Sequence, residues 1–156
     1  MRRPHFLIGL VCLLAVGAAV FAQYQLDMQP CPWCILQRVI FLLVALVSLT
    51  SALGPLLTAK AGAGMVAGLS LAGFAAALYQ NLVAAKSASC NLSLAEQMLS
   101  GLGLDALWPE VFEIRASCAD AAAQLLGLPY EAWSGLLFVV LAILSVALAA
   151  RKPSRR

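Results

Sequence analysis

Four windows of this 156-residue chain contain no charged side chain: Phe6 to Leu26, Val39 to Ala59, Ala61 to Ala85 and Ala132 to Ala150. Each comes close to the ~20 residues that carry a helix across the hydrocarbon core of a bilayer. In lipid a backbone must satisfy its own hydrogen bonds, which leaves helices and closed barrels. The apolar residues here run continuously instead of alternating with period two, so the pattern is helical. With 63% hydrophobic and 11% charged residues, against ~25% charged in soluble domains, little remains for a water-soluble unit. The expected architecture is an all-α membrane protein, one four-helix transmembrane bundle over 1–156. Its spans fall at about 6–26, 35–54, 64–84 and 132–150, with connections at about 27–34 and 85–131.

The charges orient the bundle. Arg2 and Arg3 precede the first window, Lys60 separates the second from the third, and Arg151, Lys152, Arg155 and Arg156 follow the fourth, with no acid among them. All seven acids, Asp27, Glu96, Asp105, Glu110, Glu113, Asp120 and Glu131, fall in the other two connections. Because cytoplasmic loops carry the excess of Lys and Arg, both termini and the Lys60 turn are expected in the cytoplasm. The basic tails then act as orientation signals and not as a nucleic-acid patch. Arg2, Arg3 and the run ending Val20-Phe21-Ala22 also resemble a cleavable signal peptide. The run is longer than a typical signal core, so it is expected to be retained as a span.

That orientation places Cys31, Cys34, Cys90 and Cys118 on the non-cytoplasmic side, where disulfides form and persist. Cys12 alone lies inside a span and reads as a small apolar core residue. His5, the only histidine, reads as a solvated or headgroup-level residue of the cytoplasmic flank. A Cys/His nucleophile pair on the outer side is therefore excluded.

Cys31-Pro32-Trp33-Cys34 stands at the mouth of the second window. Pro32 suits a first helical position. The unpaired N–H groups and positive dipole end of a helix start favour a thiolate there. Arg38 follows Cys34 by four residues, one turn deeper on the same face. An ionisable group entering a span is costly and marks function, unless it snorkels out to the headgroups. Placed there, Arg38 is suited to bind a carbonyl oxygen of an electron acceptor dissolved in the bilayer. Tyr24 and Trp33 fit the membrane interface. Gly64, Gly68, Ala72 and Ala76 form a small-residue stripe of the kind that packs helices closely. Tyr79, Gln80 and Asn81 either meet headgroups or line a pocket.

The second outer connection is too apolar for a solvated loop. Ser93 with Glu96 forms a capping box for a short helix, and the apolar spacing after it suggests a helix lying on the membrane surface. Asp120 through Leu126 reads as another short helix closed by Gly127, with Pro129 beyond. Each loop cysteine thus borders a short helix on a connection able to move relative to the bundle.

At these residues the sequence resembles the DsbB family of bacterial disulfide bond formation proteins, quinone reductases of the inner membrane. Four spans, CxxC then Arg at the start of the second, and two cysteines in a long second periplasmic loop carry the likeness over nearly the whole chain. The resemblance implies a protein-dithiol:quinone oxidoreductase that reoxidises a DsbA-type thioredoxin-fold protein of the periplasm. It implies a loop disulfide between Cys90 and Cys118, with Cys90 attacked by the partner's thiolate and Cys31 then attacking Cys118. Cys34 faces the quinone, ubiquinone or menaquinone, and Arg38 contacts a quinone oxygen; no metal is implied. One departure is that some members carry a histidine near the outer end of the third span, where this chain reads Leu78-Tyr79-Gln80-Asn81. Gln80 is at best a weak substitute for it.

Two other readings use the same cysteines: a dedicated oxidant for a single periplasmic substrate, and a four-thiolate metal site or a pair of structural disulfides in a membrane adaptor. Zinc sites favour two close pairs. Cys90 and Cys118 are separated by 27 residues, 91 to 117, which suits a movable disulfide better.

Overall fold

The computed structural model describes residues 2–86, 94–120, 124–125 and 127–151. The chain is a membrane protein of four long apolar helices. They are α1 (Arg2–Gln25), α2 (Pro32–Leu53), α3 (Leu56–Leu82) and α7 (Tyr130–Ala150), of 24, 22, 27 and 21 residues. At ~1.5 Å per residue each reaches ~30 Å, the thickness of the hydrocarbon core. Three short helices, α4 (Leu94–Leu102), α5 (Leu104–Leu107) and α6 (Pro109–Phe112), lie between α3 and α7.

The long helices pack in the order α1 on α2, α2 on α3, and α3 on α7. The central core is aliphatic and aromatic. Phe41 of α2 stacks on Phe138 of α7 with ring centroids 4.0 Å apart and 7° between planes. Ile8, Cys12, Val44, Ala63, Val66 and Leu141 complete it. Two glycines set the helix spacing. A Cβ at Gly73 would lie 2.4 Å from the Phe138 ring, and one at Gly62 would lie 1.9 Å from the Ser51 hydroxyl. Both positions need a residue without a side chain for α3 to approach its neighbours.

Several expectations are corrected here. Gly64, Gly68 and Ala72 face outward, and nothing lies within 4 Å of a Cβ built on either glycine. Of the expected stripe only Ala76 is buried, and the packed face of α3 carries it together with Ala63, Val66, Ser70, Gly73 and Ala77. Small residues recur on both faces of this helix, so their spacing alone does not say which face is buried.

His5 is fully buried, and its Nε2 is 2.9 Å from the Ala59 carbonyl. It ties the start of α1 to the first turns of α3. Trp33 does not face outward either; it is buried against Tyr79, with centroids 4.7 Å apart.

The helix expected from Asp120 to Leu126 does not form at its second half. Gln124–Leu125 is extended and pairs antiparallel with Leu128–Pro129. Gly127, at φ +81, supplies the left-handed residue of the tight turn between them. A helix-stopping glycine and a hairpin glycine have the same sequence signature, and Pro129, held near φ −65°, suits the extended strand end.

The short helices pack on the bundle. Leu99 of α4 and Phe112 of α6 are buried against Ile35 of α2, with Val39 and Leu42 beside them. Ser93, half of the expected capping box, lies outside the described residues. The segment after α6 is tied to the chain just before α2, because the Arg115 and Ala116 amides donate to the Pro30 carbonyl at 3.1 and 3.3 Å. This tether fixes where Cys118 sits.

Candidate active site

Cys31 caps α2 from an extended conformation, and its sulfur accepts the Cys34 amide at 3.3 Å. Pro32 occupies the first turn, where a missing N–H costs nothing. The two sulfurs of the CxxC are 2.8 Å apart. Cys118 packs against the same cluster as Cys31, Trp33 and Ala95. Cys31, Cys34 and Cys118 are therefore gathered in one cluster at the start of α2. Cys90 lies outside the described residues.

The proton is unequally shared within this cluster. The hydrogen bond to Cys118, the one to Cys34 and burial all push the Cys31 thiol up. The hydrogen bond from Cys31 holds the Cys118 thiol below the ordinary range, helped by the Trp33 backbone amide and opposed by burial. Of the two thiols, Cys31 holds its proton more tightly and Cys118 less tightly than a free cysteine.

Cys34 and Arg38, one turn apart on α2, line a cavity of about 320 Å³. Its walls are Ala15, Ala18, Ala19 and Ala22 of α1 on one side and Trp133, Ser134 and Leu137 of α7 on the other, with Phe41 at the base. It lies between α1 and α7, whereas the extensive helix contacts are α1–α2, α2–α3 and α3–α7.

Arg38 does not snorkel. It is 5% exposed, and its guanidinium donates to Gln23 Oε1 at 2.8 Å, to the Val111 carbonyl at 2.8 Å and to the Ala19 carbonyl at 3.3 Å. These bonds use three of the five N–H groups of an arginine. They also bind α6 to α1 and α2 through one side chain. A buried guanidinium is expensive inside a span, and these three hydrogen bonds offset part of that cost.

The sequence reading offered Gln80 and Asn81 as possible pocket residues but missed Gln23, Gln37, Glu131 and Ser134 around it. Gln37 donates to Gln80 Oε1 at 2.7 Å, Gln80 donates to Cys34 Sγ at 3.3 Å, and Ser134 donates to Gln37 Oε1. Asn81 donates to the buried Glu131 at 3.0 Å. The available signal was an amide inside an apolar window: Gln23 and Gln80 interrupt runs that need no polar residue, and Gln37 adjoins one.

The family model described as disulfide bond formation protein DsbB matches residues 1–148. This chain belongs to the DsbB family. Among its DsbB relatives, disulfide bond formation protein B of Cupriavidus metallidurans is 35% identical over 97% of this chain and 94% of the relative. The protein of the same name from Herminiimonas arsenicoxydans is 31% identical over 98% of both chains. Disulfide bond formation protein B 1 of Pseudomonas syringae pv. syringae is 32% identical over 92% of this chain and 86% of its own length. As a DsbB member the chain is a multi-pass membrane oxidoreductase of disulfide bond formation. The sulfur cluster beside a buried arginine is the part of it suited to that chemistry.

Proposed function

We propose that the protein reoxidises a DsbA-type thioredoxin-fold dithiol protein and passes the electron pair through two cysteine pairs to a membrane quinone, driving disulfide formation. In this reading it sits in the bacterial inner membrane with both termini cytoplasmic, the redox cysteines periplasmic and the short loop helices at the membrane surface. The observation that carries it is that Cys34 and Arg38 share one wall of an apolar cavity while Cys31, its sulfur 2.8 Å from that of Cys34, lies in one cluster with Cys118.

The residues fit a quinone. Alanines and aromatic rings offer a flat apolar slot, Arg38 offers N–H groups to a ring carbonyl, and Cys34 offers sulfur to the ring. Ubiquinone and menaquinone both meet these requirements. A bound quinone supplies the sink, taking up two electrons and two protons.

The chain's own residues carry the pair to that point. The partner's thiolate attacks Cys90 of the Cys90–Cys118 disulfide, breaking that bond, forming a mixed disulfide and releasing Cys118. The partner's second thiol resolves the mixed disulfide, so the partner is oxidised and Cys90 released. Exchange with the Cys31–Cys34 disulfide then restores Cys90–Cys118 and leaves Cys31 and Cys34 reduced. The family likeness implies attack by Cys31 on Cys118, but passing electrons from the reduced loop pair to the Cys31–Cys34 disulfide requires the opposite polarity. The released Cys118 thiolate is the attacker, Cys31 the sulfur attacked, and Cys34 the leaving thiolate at the helix N-terminus. Arg38, fixed by its three hydrogen bonds, holds positive charge where negative charge develops.

Anaerobic mixing of reduced DsbA-type protein, the purified full chain and ubiquinone tests the reading. Quinone absorbance is expected to fall in step with partner oxidation. Cys31→Ala or Cys34→Ala abolishes quinone reduction, and Cys90→Ala or Cys118→Ala abolishes oxidation of the partner. Arg38→Ala leaves the loop disulfide formed and raises the KM for quinone about tenfold, the effect of ~1.4 kcal/mol. Full activity of Arg38→Ala at low quinone overturns its assignment. Stoichiometric bound zinc, or two cysteine pairs that never exchange, overturns the mechanism.

A further inference from the structure

We propose that Gln80 is a catalytic residue of this site: its amide N–H holds the Cys34 sulfur as a thiolate aimed into the cavity, with Gln37 and Ser134 positioning that amide. The role of the thiolate rests on the quinone reading above, but its formation does not.

The direction of the relay is what carries the inference. A primary amide has one accepting end and one donating end. The Gln37 amide nitrogen donates to Gln80 Oε1 at 2.7 Å, and its own oxygen meets the Ser134 hydroxyl, which also lies 2.9 Å from the Glu131 carbonyl. With its oxygen so occupied, Gln80 presents its donating end to Cys34 Sγ at 3.3 Å. A donor facing sulfur favours the anion, since a hydrogen bond to a charged acceptor is about twice as strong as one between neutral groups.

The relay is also held rigidly. Gln37 is 4% and Gln80 3% exposed, and a buried amide that lost a partner would carry the full cost of desolvation. Ser134 is on α7, Gln37 on α2 and Gln80 on α3, so three spans fix a single sulfur contact. Gln80 and Cys34 both line the cavity. An amide does not titrate, so the donor is present at every pH at which the partner works.

The test is alkylation of Cys34 by iodoacetamide at fixed neutral pH, in quinone-free full-length protein whose other four cysteines are replaced by serine. Gln80→Leu is expected to slow alkylation about tenfold, the thiolate population that goes with one hydrogen bond to a charged group. Gln80→Glu separates the chemistry from the architecture. It keeps an oxygen for the Gln37 amide and the same shape, but turns a carboxylate oxygen toward sulfur. A donor role makes Gln80→Glu at least as slow as Gln80→Leu; a purely structural role leaves it at the parent rate. Parent-rate alkylation of folded Gln80→Glu overturns the proposal, and so does parent-rate alkylation of Gln80→Leu. Because no quinone is present, either result stands apart from the success or failure of the quinone assay.

Discussion

The part of the bundle around Phe138 and the part around Arg38 are built from the same long helices under opposite rules. Around Phe138, contact is between apolar faces: the Phe41–Phe138 stack, Val44, Val66 and Leu141, with Gly73 letting α3 close on α7. Around Arg38, buried Gln23, Gln37, Gln80 and Glu131 are joined by directional hydrogen bonds beside a cavity. In a bilayer there is no hydrophobic force between helices, and packing supplies the association energy. Polar groups at the same depth add cost unless each is satisfied. The contrast teaches that one region holds the fold and the other spends part of that stability on a charged, thiol-bearing site.

The comparison predicts a separation of effects. Phe138→Ala removes a fully buried ring stacked on Phe41 and is expected to lower unfolding free energy by about 3 kcal/mol. Denaturation of the purified protein in detergent measures this. Disulfide exchange per folded molecule should remain at the parent rate. A parallel fall in exchange would show that the two regions are one mechanical unit, and the distinction would fail.

A second, smaller effect lies within the polar region. The Cys118 thiol is held below its ordinary range by its hydrogen bond from Cys31, and a free cysteine titrates near ~8.5. The sign follows from the direction: at neutral pH Cys118 is more deprotonated than a free thiol, and its reactivity is lost as pH falls through the depressed value. Alkylation of Cys118 against pH should therefore have its midpoint below that of a free cysteine. Cys31→Ala removes the donor and moves the midpoint up. An unchanged midpoint in that variant would mean that the Trp33 amide alone sets the thiol, and Cys31 would lose its part in proton sharing.

The span pattern was legible because charge-free windows of sufficient length admit few structures, and Arg38 stood out because guanidinium is rare in them. What escaped was whatever depended on which face of a helix is inward. The outward stripe of Gly64, Gly68 and Ala72 and the inward set of Gly62 and Gly73 have the same composition, and only the ring of Phe138 and the hydroxyl of Ser51 distinguish them. His5 is buried because the start of α3 leaves the Ala59 carbonyl facing it. Gln37 and Gln80 are 43 residues apart in sequence, and no local rule joins them. The Gln124–Pro129 hairpin looked helical because a glycine followed by proline ends a helix as readily as it turns a strand.

The smallest effect belongs to the one described thiol outside the sulfur cluster. Cys12 is 0% exposed in the apolar core with Ile8, Val16 and Val44, so its sulfur acts there as volume. Cys12→Ala deletes one heavy atom and should cost about 1 kcal/mol of stability. Partner oxidation and quinone reduction should both stay at the parent rate. Cys12 and Cys34 line opposite regimes of the same bundle, one among side chains that only pack and one against Gln80, Cys31 and the cavity. A thiol becomes part of the relay only where another sulfur or a hydrogen-bond donor touches it. If Cys12→Ala slowed either half-reaction while leaving stability intact, sulfur position would no longer decide which cysteines work, and the boundary between the two regions would have to be redrawn.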